Sequence, residues 1–259
     1  MRILTCLFCA FLLILSSCSS DDSNGSNDIY FPLEVGNEWE YSVTTDGNTF
    51  IDVLRVASVT GETYQMEVEP ALPAAIMSSV LSNATLQQDG GRLIGTGSLT
   101  FDLFGLDNLD FTVTDAALYD QNESQGTTLT SVDGSLTRPI QGFDLVIDYT
   151  ATTVQQESLE NLSVGGVVYS NIIHSQLIIN VEIGTTASFG GFDIPVVIMP
   201  AQDVFVIDNY WAQDVGLVRS TNNFSYTLSD FSSFGVALPF PQTADILTVQ
   251  ELDEFRDTE

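Results

Sequence analysis

The chain has 259 residues, and its 35 acidic residues outnumber six arginines to give a formal net charge of −29, with no lysine. Nucleic-acid binding needs basic residues that neutralise phosphates, so this charge excludes DNA and RNA as partners. The absence of lysine also excludes a P-loop and Schiff-base chemistry. His174 is the single histidine, which excludes a multi-histidine zinc site.

The first 22 residues have the pattern of an export signal. An apolar run follows the charged Arg2 and ends at Leu15. It is too short to span a bilayer, because a spanning helix needs roughly 20 apolar residues. Cys18 comes directly after Leu-Ser-Ser, and this arrangement resembles the lipobox of bacterial lipoproteins. The resemblance implies a signal peptide over residues 1–17, acylation of Cys18, and a mature protein anchored to the outer membrane by lipid.

Residues 19–28 are polar and acidic, without an apolar side chain. We therefore expect residues 18–28 to form an acylated cysteine and a flexible tether. The pair Asp21-Asp22 resembles the export signal of Bacteroidota-type surface lipoproteins. This resemblance implies display on the cell surface, with the periplasmic face as the alternative. Cys6 and Cys9 lie in the segment to be removed, so the mature domain is predicted to have no disulfide.

From Tyr30 onward, apolar and polar side chains alternate with period 2, which is typical of half-buried strands. The alternation is clearest over residues 39–43, 64–69 and 143–149. These runs predict one all-β domain over residues 29–259, built as a curved antiparallel sheet or half-barrel meander. Residue pairs that tolerate positive φ angles predict its hairpin turns. They are Asp46-Gly47, Gly61-Glu62, Gly90-Gly91, Asp133-Gly134, Gly165-Gly166, Gly190-Gly191 and Asn222-Asn223.

One stretch departs from the strand pattern. Residues 73–84 begin with Pro73, which favours the first turn of a helix, and carry one apolar stripe at positions 76, 77, 80 and 81. The spacing predicts a single short helix packed against the sheet. The tail at residues 245–255 fits either a last strand or a short helix.

Two motifs lie near opposite ends of the predicted domain, at residues 30–41 and 210–218. Together they resemble a group of bacterial lipoproteins with the patterns P-L-x-x-G-N-x-W-x-Y and Y-x-A-x-x-V-G-L-V. The resemblance implies a lipocalin-like or lipoprotein-carrier-like half-barrel with a helix on its concave side. It implies no catalytic residues.

Trp39 and Trp211 are the candidate binding residues, one in each motif. As large aromatic side chains they fit either the core or a stacking platform for a sugar or an apolar ligand. His174 lies within a strand pattern, and we interpret it as structural.

We expect a non-enzymatic, lipid-anchored protein that binds an apolar ligand on the concave sheet face or has a structural role in the envelope. A carbohydrate-binding surface module is the alternative, followed by a hydrolase that uses two carboxylates. We expect no cofactor. Calcium is the one ion considered, although residues 102–110, residues 203–214 and Asp230 all lack the spacing of a calcium loop.

Overall fold

The computed structural model describes residues 29–103, 106–140, 143–189, 191–231 and 241–258. The predicted signal peptide, Cys18 and the tether lie outside these residues. The described chain forms the strands β1 (Glu38–Thr45), β2 (Asn48–Thr60), β3 (Thr63–Glu69), β4 (Ala84–Asp89), β5 (Arg92–Leu103), β6 (Leu106–Asp120), β7 (Thr128–Ile140), β8 (Phe143–Gln155), β9 (Leu159–Val164), β10 (Val167–Phe189), β11 (Phe192–Ala212), β12 (Gly216–Thr227) and β13 (Thr243–Arg256), and the helix α1 (Ile76–Asn83).

All of these strands belong to one antiparallel sheet. Its order is β6-β5-β4-β3-β2-β1-β13-β12-β11-β10-β8-β7, and β9 pairs with β10 beside this path. Most neighbours in the sheet are also neighbours in the chain, as in a meander. The pairing of β1 with β13, for example Trp39 with Phe255, joins the two ends of the meander. The sheet therefore curves into a nearly closed barrel with one helix, which confirms the predicted all-β class.

The barrel closes differently between β6 and β7, the two ends of the strand path. The backbone N–H of Ala117 donates to the Thr130 hydroxyl at 2.9 Å. Phe111 on β6 stacks on Tyr149 of β8, with ring centroids 4.2 Å apart. We call this junction the seam, because side chains hold it together where the order of paired strands ends.

The predicted alternation is seen directly in the first strand. Trp39, Tyr41 and Val43 are fully buried, while the residues between them are half-buried. At the end of this strand, Asp46 and Gly47 have φ angles of 48° and 75°, as a tight hairpin with two left-handed residues requires. The tail that fits a strand or a helix forms β13.

Two predicted turns are wrong. Asp133-Gly134 lies inside β7, where glycine is needed for space: a Cβ at Gly134 would overlap the ring of Tyr149, its partner on β8. Asn222-Asn223 lies inside β12, and Asn222 is buried in the barrel. Glycine and asparagine tolerate turns, but at these two positions they are set by the packing of the barrel interior.

A row of buried polar side chains crosses the barrel interior. Its members are directly paired on five neighbouring strands, from β8 to β13: Gln155, Ser175, Asn209, Ser220 and Gln250. Hydrogen bonds satisfy part of the row, as where the Ser220 hydroxyl donates to Asn209 Oδ1 at 2.8 Å.

Candidate functional site at the mouth of the barrel

The two ends of the barrel differ in the chain segments and strand connections that they carry. At one end, which we call the base, the described chain begins and stops. There the N–H of Asp214 donates to the carbonyl of Ile29 at 2.7 Å, and the N–H of Thr258 donates to Asn37 Oδ1 at 3.1 Å. The opposite end, which we call the mouth, carries the connection from β3 to β4 and therefore α1.

Two buried polar side chains hold α1 inside the mouth. The carboxylate of Asp52 on β2 accepts the backbone N–H groups of Ala74 and Ala75, both at 2.9 Å. These amides lie at the helix start, where N–H groups have no partner within the helix. From the other side, Gln250 Nε2 on β13 donates to the Ser78 hydroxyl at 3.0 Å. The helix is therefore attached to the inner wall at two places.

An open space, which we call the mouth pocket, lies beside the solvent-facing side of α1 and measures about 770 Å³. It is lined by β3, by α1 with the segment before it, and by Phe205 of β11. Since β3 and β11 are separated by four strands in the sheet, the pocket extends across the mouth. Its apolar walls are formed by Met66, Val68, Leu72, Pro73, Ile76 and Phe205.

The opposite face of α1 leaves little room. Met77, Val80 and Leu81 are buried against the sheet. The enclosed cavity beneath the helix measures about 20 Å³, which is the space of about one water molecule. A ligand on the concave face beneath the helix therefore requires α1 to move, whereas the mouth pocket is open as it stands. Sequence periodicity located the helix but not this pocket.

The polar lining of the mouth pocket consists of hydroxyl, amide and carboxylate groups. They belong to Glu67 on β3 and to Ser79, Ser82 and Asn83 along one side of α1. The Ser82 hydroxyl donates to the Ser78 carbonyl at 2.8 Å, and Asn83 Nδ2 donates to the Ser79 hydroxyl at 3.2 Å. The pocket thus combines apolar walls with one polar strip.

Trp39 lies at the base, at the other end of the barrel from the mouth pocket. Its ring stacks between Phe31 and Phe255, with centroids 4.7 Å and 5.2 Å away. Its indole N–H donates to the carbonyl of Val215 at 2.6 Å. Val215 belongs to the second motif, so the two motifs that carry the family resemblance pack on each other. Gly216 permits this approach, since a Cβ there would come within 2.5 Å of Phe31.

Trp211 belongs to the same aromatic base. It is fully buried, like Trp39, and its N–H donates to the Ser175 hydroxyl at 3.1 Å. Neither indole presents a face to solvent, so neither can stack on a sugar or an apolar ligand without rearrangement of the base. Burial also raises the pKa of the neighbouring Tyr119 and Tyr41 hydroxyls.

His174 lies on the outer face of β10, next to Ile173, which pairs with Trp211. Its Nε2 is 2.9 Å from Asp208 Oδ1, and its ring stacks on Tyr210 at 4.4 Å. Both partners belong to the adjacent strand β11. The structure therefore places this histidine in a cross-strand network, as the strand pattern indicated.

Neither a metal site nor a membrane-spanning helix is found in the described part of the chain. No group of three or more histidine, cysteine, aspartate or glutamate side chains there could hold a metal ion. Asp203 on β11, in one of the acidic stretches, accepts a hydrogen bond from Asn180 Nδ2 at 2.8 Å. The described helix is too short to cross a bilayer.

No family model matches this chain, and no curated protein matches it. Among solved structures, it is similar to a crystal structure from Parabacteroides distasonis described as a "putative lipoprotein". The similarity has a TM-score of 0.33 at 10% sequence identity, and it covers 88% of this chain and 99% of that chain.

Proposed function

We propose that this chain is a lipid-anchored envelope protein that binds an apolar or amphipathic ligand in the mouth pocket and catalyses no reaction. The supporting observation is the pocket itself, an open space of about 770 Å³ with apolar walls. Small-molecule sites in proteins measure about 300–1,000 Å³ and combine apolar walls with a few polar groups. The mouth pocket has this size and composition.

The affinity depends on both the apolar chain and the polar head of the ligand. Burial of six methylene groups would contribute about 5 kcal/mol, at about 0.8 kcal/mol each. Association itself costs about 4–15 kcal/mol in lost freedom of motion. The apolar walls alone would therefore give weak binding, and contacts with the ligand's polar head would decide the affinity.

The position of the pocket suits an anchored protein. The lipobox resemblance implies that lipid on Cys18 holds the chain to a membrane, and Ile29 joins the barrel at the base. The intervening ten residues, treated as a flexible chain, reach roughly 16–19 Å. In this arrangement the base lies near the membrane and the mouth opens away from it, toward ligands that arrive from the surroundings.

A fluorescent dye tests the proposal. The chain from Ser19 onward, which contains the whole barrel, would be titrated with Nile red, an uncharged dye that the acidic surface does not repel. The side chain of Leu72 is 89% exposed in the pocket wall, so Leu72→Ser removes apolar surface without loss of core packing. We expect wild type to bind one dye molecule and Leu72→Ser to bind it several-fold more weakly.

The matched control is Val168→Ser, which removes an apolar side chain that is 65% exposed at the base. This variant should bind the dye like wild type. The proposal fails if wild type binds no dye, or if the two variants weaken binding equally. Native mass spectrometry of protein purified from its own envelope would then show whether any ligand mass accompanies the chain.

A further inference from the structure

We infer that the mouth pocket selects amphiphiles with a cationic head group over amphiphiles of the same chain length with a carboxylate head. The inference rests on the proposed binding function and names the class of ligand. It is carried by three features of the pocket: the chemistry of its lining, the start of α1, and the nearest arginine.

The lining offers hydrogen-bond acceptors and no cation. None of the described residues that line the pocket is a lysine, an arginine or a histidine. Asn83 already uses an amide N–H on the Ser79 hydroxyl. The carboxylate of Glu67 is engaged by Arg55, so this ion pair brings no net positive charge to the pocket rim. An ammonium head would meet acceptors here, whereas a carboxylate head would meet no positive partner.

The start of α1 would be the natural place for an anionic head. Free backbone N–H groups and the helix dipole make helix N-termini favourable for anions. In this protein the chain's own carboxylate occupies the position: Asp52 is fully buried and accepts the N–H groups of Ala74 and Ala75. An incoming carboxylate at this end of the helix would lie beside the Asp52 carboxylate, which already holds the N–H groups directly before Ile76.

The nearest arginine is also occupied. Arg55, on the surface next to the pocket, forms an ion pair with Glu67, and its Nε donates to the same carboxylate at 2.9 Å. Glu38 and Glu69 line the same adjoining surface. The net charge of −29 adds long-range repulsion of anions and attraction of cations. Local and overall charge thus favour the same class of ligand.

The test compares three amphiphiles that share a twelve-carbon chain: dodecylammonium, whose head donates hydrogen bonds, dodecanoate and uncharged dodecyl maltoside. Calorimetric titrations of the chain from Ser19 onward would be made below the micelle-forming concentration of each. We expect one molecule of the ammonium compound to bind at least tenfold more tightly than dodecanoate at low salt. The ratio should narrow as salt screens the charges. Leu72→Ser should weaken the binding of the ammonium compound and of the maltoside by similar factors. This result would place both ligands in the pocket.

A pair of charge variants separates the local effect from the overall field. Asn83→Lys places a cation at the exposed pocket rim, and Ser163→Lys places the same charge at an exposed position of β9 near the base. Asn83→Lys should abolish or reverse the preference, and Ser163→Lys should leave it nearly unchanged. Equal shifts in the two variants would overturn the assignment to the pocket.

The outcomes for wild type distinguish the two proposals. Dodecanoate that binds as tightly as the ammonium compound would overturn the charge selection and leave the binding function standing. If none of the three amphiphiles binds, both proposals fail together.

Discussion

Phe111 on β6 stacks on Tyr149 of β8, with ring planes 27° from parallel. The stack crosses the seam, where the path of paired strands ends. Gly134 on β7 gives it space, because a Cβ there would overlap the tyrosine ring. Together with the hydrogen bond between Ala117 and Thr130, the two packed rings close the barrel where the described residues of β6 and β7 are not paired.

Phe111→Ala should therefore lower the free energy of unfolding more than the removal of an exposed aromatic ring does. Phe111 is fully buried, and replacing a buried phenylalanine by alanine costs about 3–5 kcal/mol. Phe192→Ala is the control, since Phe192 is 77% exposed near the mouth. Urea unfolding of both variants measures the difference, and equal midpoints would show that the stack does not hold the seam.

Replacement of each of two glycines in β5 by alanine should change the stability of the fold in opposite directions. A Cβ at Gly95 would lie 3.5 Å from Ala84 and 3.7 Å from Leu86, which is ordinary contact, beside the small cavity under α1. A Cβ at Gly97 would lie 2.6 Å from the Asn83 carbonyl, so the end of α1 would have to shift.

We expect Gly95→Ala to stabilise the fold by about 0.4–1 kcal/mol, through the lower entropy of the unfolded chain. Gly97→Ala should destabilise it by about 1–3 kcal/mol, the usual cost of an overfilled site. Denaturant midpoints at unchanged slope provide the measurement. If the two variants shift in the same direction, the close contact between α1 and β5 is not as described.

Asp52→Asn should loosen α1. The change keeps the size of the side chain, but it replaces one of two acceptor oxygens with a donor that faces the N–H groups of Ala74 and Ala75. A buried N–H left without a partner costs about 1–3 kcal/mol. The matched control is Glu62→Gln, with the same loss of charge in an exposed turn. Amide exchange at residues 74–76 should accelerate in the Asp52 variant alone, and unchanged protection there would contradict the attachment.

Alkaline pH should unfold the barrel through its buried tyrosines. Burial raises the pKa of Tyr41 and Tyr119 above the ordinary value of about 10. Because the folded state holds these protons more tightly than the unfolded state, their stabilising contribution is complete below about pH 10 and falls as the pH rises further.

Absorbance at 295 nm, followed together with circular dichroism, tests this expectation. The two hydroxyls should ionise only as the barrel unfolds. Because the chain has eight tyrosines, the signal to follow is the part of the absorbance change that is lost in Tyr41→Phe, and it should appear together with the change in circular dichroism above about pH 10. Tyr41→Phe removes one of these ionisations and also the hydrogen bond to the Leu217 carbonyl at 3.0 Å, so its stability should depend less on pH in this range. Ionisation of both tyrosines within a folded barrel would refute the burial argument.

Much of the fold could be predicted from local patterns. Period-2 alternation reports which residues of a strand share a face, and Trp39, Tyr41 and Val43 do share the buried face of β1. The helix followed from its apolar stripe, but it begins at Ile76 and ends at Asn83, so the predicted start at Pro73 is three residues too early. The turns at Asp133-Gly134 and Asn222-Asn223 could not be rejected from the sequence, because the reason for those residues lies on other strands.

The mouth pocket was beyond prediction for the same physical reason. It exists because Phe205 on β11 faces Met66 on β3 across the barrel, and no local pattern reports such a pairing. The role of Asp52 could not be predicted from the sequence either, since an aspartate in a strand pattern ordinarily indicates a solvent-facing position. Its role depends on a helix start more than twenty residues away in the chain. The signal peptide, the acylation of Cys18 and the tether stay predictions, outside the described residues.

The pairing of β1 with β13 also determines when, during synthesis of the chain, the barrel can close. β1 gains its second neighbour only when residues 248–256 are present, and these are the last part of the barrel to leave a ribosome or to cross a membrane. A chain exported with its N-terminus first therefore keeps β1 and β12 as bare edges until β13 arrives. The strand order thus makes closure of the barrel depend on its last strand, and a product shortened before Thr243 would lack the strand that joins β1 to β12.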